Sequence, residues 1–175
     1  MSILDYFKTD NDNKTTLDNS NNNTIFNNIN IYTDGACSNN GKKNAKAGIG
    51  IYISDDFTVS EKLKGLPTNQ RAELYAILKA LLIIDILNYK NINIYTDSMY
   101  SINCITKWVK GWKKNGWKDS KKKDVKNKDL IDNIDKIYSK YNHIHFNHVE
   151  AHTNKTDIHS IGNDKADKLA RNSLL

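Results

Sequence analysis

The hexapeptide Ile-Asn-Ile-Tyr-Thr-Asp occurs twice in this chain, at 29–34 and 92–97, and a small residue follows each copy. If both copies form parallel neighbouring strands, Asp34 and Asp97 meet at the carboxyl ends of the strands, where open α/β sheets gather functional groups. We expect the small residue after each aspartate to let the backbone turn away from the pair. Two adjacent carboxylates repel each other, so either one holds a proton or a cation lies between them.

Two further acids stand where they could join this pair. Glu73 lies near the start of a predicted helix, and Asp167 lies in the predicted C-terminal helix. Four acids without a cysteine favour a hard cation with oxygen ligands, Mg²⁺ or Mn²⁺. Such a cluster suits two ions about 3.5–4 Å apart, which activate water and stabilise the leaving oxygen in phosphoryl transfer. An acid on a helix is usually solvated, so the interpretation of Asp167 depends on the other three.

The predicted elements place these acids in a mixed α/β domain. Alternating apolar residues indicate strands, and apolar residues three or four apart indicate helices. An antiparallel meander comes first, and crossover connections follow it. We predict that the domain covers residues 29–175, with Thr68 as the N-cap of its first helix. Strands are predicted at 28–38, 47–54, 57–65, 91–98 and 143–152, and helices at 69–87, 99–109, 127–141 and 163–175.

Composition indicates an intracellular globular protein. The 175 residues are 38% hydrophobic, which is adequate for one domain with a core. No apolar stretch is long enough to span a membrane, and the first ten residues lack the pattern of a secretory signal. Two cysteines make neither a disulfide framework nor a zinc site. We therefore expect a monomer of the cytoplasm or nucleus, neither secreted nor bound to a membrane.

The positive charge of the chain is concentrated in one segment. Residues 107–128 contain ten Lys and two Asp, whereas the net charge of the whole chain is +6. The remainder of the chain therefore carries about −2. A local basic surface of this kind points to a polyanionic partner rather than to general solubility.

The motifs taken together resemble type 1 ribonuclease H. They are YTDGACSNNG, TNQRAEL, YTDSMYSINCITKW, GWKKNGWK and GNDKADKLA, in the order and spacing of that family across 29–173. The resemblance implies a ribonuclease H-like fold with a five-stranded mixed sheet flanked by helices. Strands 1–3 are then antiparallel, and strands 1, 4 and 5 are parallel. It also implies an endoribonuclease that cleaves the RNA strand of RNA–DNA hybrids with two Mg²⁺ ions, leaving 3′-hydroxyl and 5′-phosphate ends.

The resemblance assigns roles to individual acids and to a histidine. Asp34, Glu73, Asp97 and Asp167 match the metal ligands, with Asp34 bridging both ions and Glu73 positioning the attacking water. His152 matches a mobile catalytic histidine that assists proton transfer or product release. The interval between His152 and Asp167 is longer than in many members. His159 within that interval is therefore a rival for the role, with packing of the loop as its other interpretation.

Substrate contacts are also implied by the resemblance. Asn40, Asn69 and Gln70 match residues that hydrogen-bond the RNA strand, where contacts to the 2′-hydroxyl distinguish RNA from DNA. A phosphate pocket and an aromatic channel for the DNA strand are matched by Thr68, Asn127, Trp108 and Tyr100.

The phosphate pocket departs from the animal-type members at one position. Those members have an arginine two residues before the threonine, whereas this chain has Leu66. The pocket thereby loses a charged, bidentate phosphate ligand. We expect a weaker grip on the DNA strand, unless lysines of the basic segment compensate.

Residues 107–128 match the basic protrusion of the family. Lysines supply phosphate contacts that weaken as salt rises. We expect Trp112 and Trp117 to pack the protrusion against the domain. The lysines assigned to hybrid binding are Lys107, Lys110, Lys113, Lys114, Lys118, Lys121, Lys122 and Lys123.

The first 28 residues are interpreted as a short motif followed by a disordered, Asn-rich linker. Ile3, Tyr6 and Phe7 have the spacing of the apolar and aromatic anchors in a sliding-clamp-binding peptide, without its usual leading glutamine. A short motif on a disordered linker is a common means of tethered recruitment. The alternative is that these residues cover an apolar patch of the domain.

Two other functions compete with hybrid cleavage. A non-catalytic hybrid-binding adaptor could use the same fold, although an idle site has no reason to keep four repelling acids. A junction resolvase or an integrase core could also use it, although the predicted 2′-hydroxyl contacts and the basic protrusion argue against both.

Overall fold

A computed structural model describes residues 16–17, 24–84, 89–151, 153 and 155–175 of the chain. His152 and the predicted clamp-binding residues Ile3, Tyr6 and Phe7 lie outside these residues. The strands are β1 (Thr16–Leu17), β2 (Thr24–Ser38), β3 (Lys46–Ser54), β4 (Phe57–Lys62), β5 (Tyr89–Thr96) and β6 (Ile144–His148). The helices are α1 (Asn69–Ile84), α2 (Met99–Asn103), α3 (Val109–Lys114), α4 (Lys128–Tyr138) and α5 (Ile158–Asn172), with a π-helical turn at Cys104–Trp108 between α2 and α3.

The main sheet confirms the predicted fold class. Its strand order is β4-β3-β2-β5-β6, and the two-residue β1 pairs with the start of β2 beside this path. Strands β2, β3 and β4 are antiparallel neighbours, whereas β5 and β6 run parallel to β2. The meander and the crossovers therefore meet at β2, the central strand.

The two copies of the repeated hexapeptide pair with each other in parallel. Ile29 lies opposite Ile92, and the register continues to Tyr32 opposite Tyr95. The tyrosine rings stack with centroids 5.1 Å apart. Identical side chains thus meet across the strands, with isoleucines in the core and polar residues on the other face.

Strand β2 begins four residues before the predicted strand of 28–38 and ends with it at Ser38. It begins at Thr24, because its first residues pair with β1 and with Tyr89 at the start of β5. It also continues through Asp34 to Ser38, because β3 pairs with this stretch in antiparallel register. The predicted turn after Asp34 is therefore wrong. Asp97, in contrast, directly follows the end of β5.

The core lies between the sheet and the helices that pack on it. Thr68 caps α1 as predicted, since its hydroxyl accepts a hydrogen bond from the Arg71 amide at 3.3 Å. In the described part of the chain, no helix is long and apolar enough to cross a membrane. The largest fully buried apolar side chains include Ile31, Ile49, Ile51, Leu74, Ile77, Leu81, Ile92 and Ile94.

The C-terminal helix α5 begins five residues earlier than predicted, at Ile158. Asp157 is its N-cap, and its carboxylate accepts hydrogen bonds from the amides of His159 and Ser160 at 3.0 and 3.1 Å. The interval before Asp167 is therefore largely helix, and His159 belongs to the first turn of α5.

Candidate active site

Three elements bring three predicted carboxylates together. Asp34 lies within β2, Glu73 is the fifth residue of α1, and Asp97 follows β5. One carboxylate oxygen from each lies within 4.8 Å of the others. Asp34 and Glu73 are buried, whereas Asp97 is half-buried and faces an open cleft. The cluster can therefore be reached from this cleft.

Gly35 sets the distance between β2 and α1. A β-carbon added at position 35 would lie 2.5 Å from the carbonyl carbon of Ala72, 2.8 Å from its methyl group, and closer still to the amide of Glu73. Only glycine permits this approach of a helix to a strand. Gly35 is thus required for helix packing beside the acids, and not for a turn.

Burial and mutual repulsion shift the titration of the cluster. Burial raises the pKa of Asp34 from its ordinary 3.8 to about 7, and the charges of Asp97 and Asp167 act in the same direction. Burial raises the pKa of Glu73 well above its ordinary range, with further contributions from Asp34 and Asp97. Ionisation of all of these acids at neutral pH destabilises the folded protein unless a cation compensates their charge.

The residues present fit a hard divalent cation. Oε2 of Glu73 is buried and has no hydrogen-bond partner among the described residues. Buried oxygens normally find partners, so this one is available as a ligand. Among the described residues, the donor set of the cluster is three carboxylates, which is the chemistry that Mg²⁺ and Mn²⁺ prefer.

Asp167 lies beside the cluster on α5 and lines the same cleft. The helix reaches this position because it crosses β3 at Gly50, where an added β-carbon would lie 2.5 Å from the amide of Ala170. Arg171, one turn later, donates to both oxygens of Asp167, with Nε at 2.7 Å from Oδ1. The fourth acid is therefore close to the other three and already has a cationic partner.

Arg171 is a site residue that the sequence interpretation missed. It lines the acid cleft together with Asp34, Glu73 and Asp97. The available signal was its spacing of four residues from Asp167 on a helix, which places two side chains on one face. That signal is weak because such pairs are common on solvated helices.

Of the two candidate histidines, the structure describes His159. Its ring stacks on Tyr95 with centroids 4.1 Å apart, and its Nδ1 lies 3.2 Å from the hydroxyl of Tyr32. His159 therefore packs α5 against the sheet, which was one of its two predicted roles.

The predicted RNA and phosphate contacts meet in a second cleft, which adjoins the first at Asn69. Asn69 lines both clefts, and its amide donates to Oδ1 of Asn40 at 3.4 Å. The predictions did not include Arg71 and Lys126, which also line it. The complete lining is Asn40, Leu66, Thr68, Asn69, Gln70, Arg71, Lys126 and Asn127.

The predicted aromatic channel continues from this second cleft. Nδ2 of Asn127 lies 3.5 Å from the hydroxyl of Tyr100, and the Tyr100 and Trp108 rings are 6.3 Å apart. Trp108 is 41% exposed, whereas Trp112 and Trp117 pack against the core as expected. The structure thus forms one surface from the acids through Asn69 and Asn127 to Trp108.

All eight lysines predicted for the basic protrusion are exposed. Lys113 forms an ion pair with Asp135, and Lys118 forms one with Asp124. Within the described residues the other six have no carboxylate partner. Most of the protrusion's charge therefore remains available to a polyanion.

Known proteins share this fold and these motifs. The RNase H family model matches residues 26–174. Mouse Ribonuclease H1 is 39% identical over 143 residues, covering 81% of this chain and 48% of the mouse protein. Ribonuclease H of Ehrlichia ruminantium is 38% identical over 152 residues, covering 86% of this chain and 97% of that protein. The foamy viral protease–reverse transcriptase, solved in complex with an RNA/DNA hybrid, matches with a TM-score of 0.70 and 28% identity.

Coverage differs between these relatives. The match to the foamy viral structure covers 83% of this chain and 20% of that chain. This chain spans about half the length of the mammalian relatives it matches. Nearly all of the bacterial relative, in contrast, is covered.

Proposed function

The chain belongs to the RNase H family, and on that premise we propose that it is an endoribonuclease that degrades the RNA strand of RNA–DNA hybrids. One observation carries the proposal. The buried carboxylates of Asp34 and Glu73 lie within 4.8 Å of Asp97, at an open cleft whose rim holds Asn69. Phosphodiester hydrolysis needs compensated acids of this kind, and substrate selection needs polar groups beside them.

The acids would hold two divalent cations, Mg²⁺ or alternatively Mn²⁺. When bound, these ions supply an activated water and stabilise the leaving 3′ oxygen, so the products carry 3′-hydroxyl and 5′-phosphate ends. Asp34 feels the charges of both Asp97 and Asp167, so it is the carboxylate best placed to serve both ions. Asp167 accepts hydrogen bonds from Arg171 on both oxygens, and the remaining lone pairs of its carboxylate are available to an ion.

Selection of the RNA strand falls to the amides near the acids. Asn40, Asn69 and Gln70 line the cleft that begins at the cluster, and amide side chains can both donate to and accept from a 2′-hydroxyl. The foamy viral relative was solved with an RNA/DNA hybrid, which supports the same substrate class for this chain.

Selection of the DNA strand falls to the rest of the surface. Thr68 and Asn127 bind a phosphate. Tyr100 and Trp108 contact the adjoining deoxyribose. The lysines of 107–128 bind phosphates further along the strand. Binding through lysines predicts that affinity for the hybrid falls steeply as salt rises.

Cleavage of four matched duplexes tests the proposed function. With Mg²⁺, we expect the chain to cut the RNA strand of a uniform RNA–DNA hybrid and to spare double-stranded RNA, double-stranded DNA and a duplex with one ribonucleotide. Tight binding of the hybrid without cleavage would instead identify an adaptor. Cleavage of branched DNA but not of the hybrid would identify another nuclease of this fold.

The cellular role follows from the substrate. RNA–DNA hybrids arise as replication primers and as R-loops, and removal of either fits a monomeric enzyme of the cytoplasm or nucleus.

The N-terminal residues give this enzyme a second contact, to a sliding clamp. The proposal rests on the spacing of Ile3, Tyr6 and Phe7 in the sequence. In a clamp pull-down, we expect Phe7→Ala to lose most of the recovered clamp because an aromatic anchor is removed. Lys8→Ala is the matched control and should retain it. Equal recovery with the intact chain and with Phe7→Ala would rule out the clamp contact.

A further inference from the structure

The second cleft contains two cations that the sequence interpretation did not assign, Arg71 and Lys126. The cleft adjoins the acid cluster at Asn69, which lines both. A polyanion bound at the acids therefore passes directly into the second cleft. The charges available there decide how firmly its backbone is held.

The charge of Arg71 is already compensated. Its guanidinium donates to both carboxylate oxygens of Asp129, at 2.8 Å to Oδ1, and lies 3.5 Å from Oδ1 of Asn127. Because Asp129 compensates its charge, Arg71 contributes mainly to the shape of the cleft and little to the binding of an anion.

Leu66 contributes no charge to this cleft. Leu66 is 65% exposed and lines the cleft with an apolar side chain. Lys126, by contrast, is exposed and has no ion-pair partner within the described residues. It is therefore the uncompensated cation of the cleft.

The backbone fixes the position from which Lys126 extends. Val125, just before it, is buried, and its amide donates to the carbonyl of Trp117 at 3.0 Å. Asn127, just after it, has a positive φ of 58° and contacts both Arg71 and Tyr100. A lysine between two such anchors has little freedom beyond its own side chain.

We propose that Lys126 is the charged phosphate ligand of this cleft, beside Thr68 and Asn127, and that it replaces, from another position in the chain, the cation missing at Leu66. The inference rests on the proposed function, and it commits to a backbone phosphate of the DNA strand. Lysine binds phosphate as a point charge rather than through a planar fork, so the contact tolerates a different approach. Lys126 thereby offsets the weaker binding of the DNA strand that is expected from Leu66 alone.

Binding of a labelled hybrid at several salt concentrations tests this assignment. An Asp34→Asn background prevents cleavage during the measurement. We expect Lys126→Ala to weaken binding about tenfold at moderate salt, the effect of one charged hydrogen bond. The slope of log K against log salt should fall by about 0.9, the value for one phosphate contact. Lys140→Ala, which removes an exposed lysine outside the cleft, should stay within about twofold of the background.

Two further variants make the test specific. Leu66→Arg added to Lys126→Ala should restore both affinity and slope, because it returns a cation to the same cleft. A single methylphosphonate is placed at successive positions of the DNA strand. At one position it should weaken hybrid binding by the Asp34→Asn background about tenfold. At that same position it should leave hybrid binding by Lys126→Ala unchanged.

The outcomes separate this inference from the proposed function. If the intact chain cleaves hybrid but Lys126→Ala keeps the affinity and slope of its background, the role of Lys126 is wrong and the function stands. Equal weakening of both proteins by the methylphosphonate at every position of the DNA strand would also overturn the assignment. An intact chain that neither binds nor cleaves the hybrid would overturn both.

Discussion

Replacing Asp34 with asparagine is expected to abolish hybrid cleavage and, at the same time, to stabilise the metal-free protein. The two effects have one cause. Asp34 carries a charge that a bound cation needs and that the folded protein without a cation resists. Asparagine keeps the shape of the side chain and removes the charge.

The loss of activity should be at least about a thousandfold. Metal ions supply several kcal/mol of transition-state stabilisation, and about 1.4 kcal/mol corresponds to tenfold in rate. Single-turnover cleavage of the hybrid under Mg²⁺ measures the effect, and hybrid binding should survive. Asp56→Asn, which changes an exposed aspartate in the β3–β4 hairpin, is the matched control and should cleave normally. Metal-dependent cleavage retained by Asp34→Asn would place the site elsewhere.

The gain in stability depends on pH in a defined way. The pKa of Asp34 is 3.8 ordinarily and about 7 in the fold. Between these values the folded protein holds a proton that the unfolded chain has lost, so the free energy of unfolding decreases as pH rises. Above pH 7 this penalty is complete. Asparagine does not titrate and avoids it.

Urea unfolding in EDTA at pH 4.5 and pH 7.5 measures this gain. We expect the free energy of unfolding of Asp34→Asn to exceed that of the intact chain by about 2 kcal/mol at pH 7.5 and by much less at pH 4.5. Mg²⁺ should stabilise the intact chain and have little effect on the variant. Equal unfolding midpoints for the two proteins at pH 7.5 would contradict the buried repulsion.

Replacing Gly35 with alanine is expected to damage both stability and activity. The added methyl group would overlap the backbone of Ala72 and Glu73, which cannot rotate away as a flexible side chain could. Helix α1 must therefore shift relative to β2. We expect unfolding to become easier by about 3 kcal/mol, the upper range for overpacking in a core. Cleavage should fall about a hundredfold because Glu73 moves with the helix.

Thermal unfolding and single-turnover cleavage measure the two effects of Gly35→Ala. Gly111→Ala is the matched control, because a β-carbon at position 111 of α3 meets no atom within 4 Å. Alanine in this helix should be neutral or slightly stabilising. If Gly35→Ala unfolds and cleaves like Gly111→Ala, the close approach of α1 to β2 is not needed for the site.

Local patterns predicted most of the elements and their topology. The repeated hexapeptide was sufficient to predict that two strands pair in parallel, because identical alternation presents identical faces to the core. The same repeat predicted that Asp34 and Asp97 meet. It did not predict that β2 continues past Asp34, since a strand ends where its partner ends, and β3 extends the pairing to Ser38.

The side-chain partners of the helices depended on contacts distant in sequence. The N-cap at Asp157 starts α5 early and places His159 against Tyr95, a residue contributed by β5. The compensation of Arg71 by Asp129 joins the starts of α1 and α4. Periodicity cannot reveal such pairs, because it reports which face of an element is buried and not what packs on it.

The sequence by itself determined the fold class, the set of four acids and the concentration of lysines in one segment. These features follow from residue types and their spacing, which act within a strand, a helix or a turn. Only the tertiary structure decided that Gly35 serves helix packing, that Arg171 lines the acid cleft, and that Lys126 shares a cleft with Leu66. Each of these depends on how closely separate elements approach one another, and close packing of the core sets those distances.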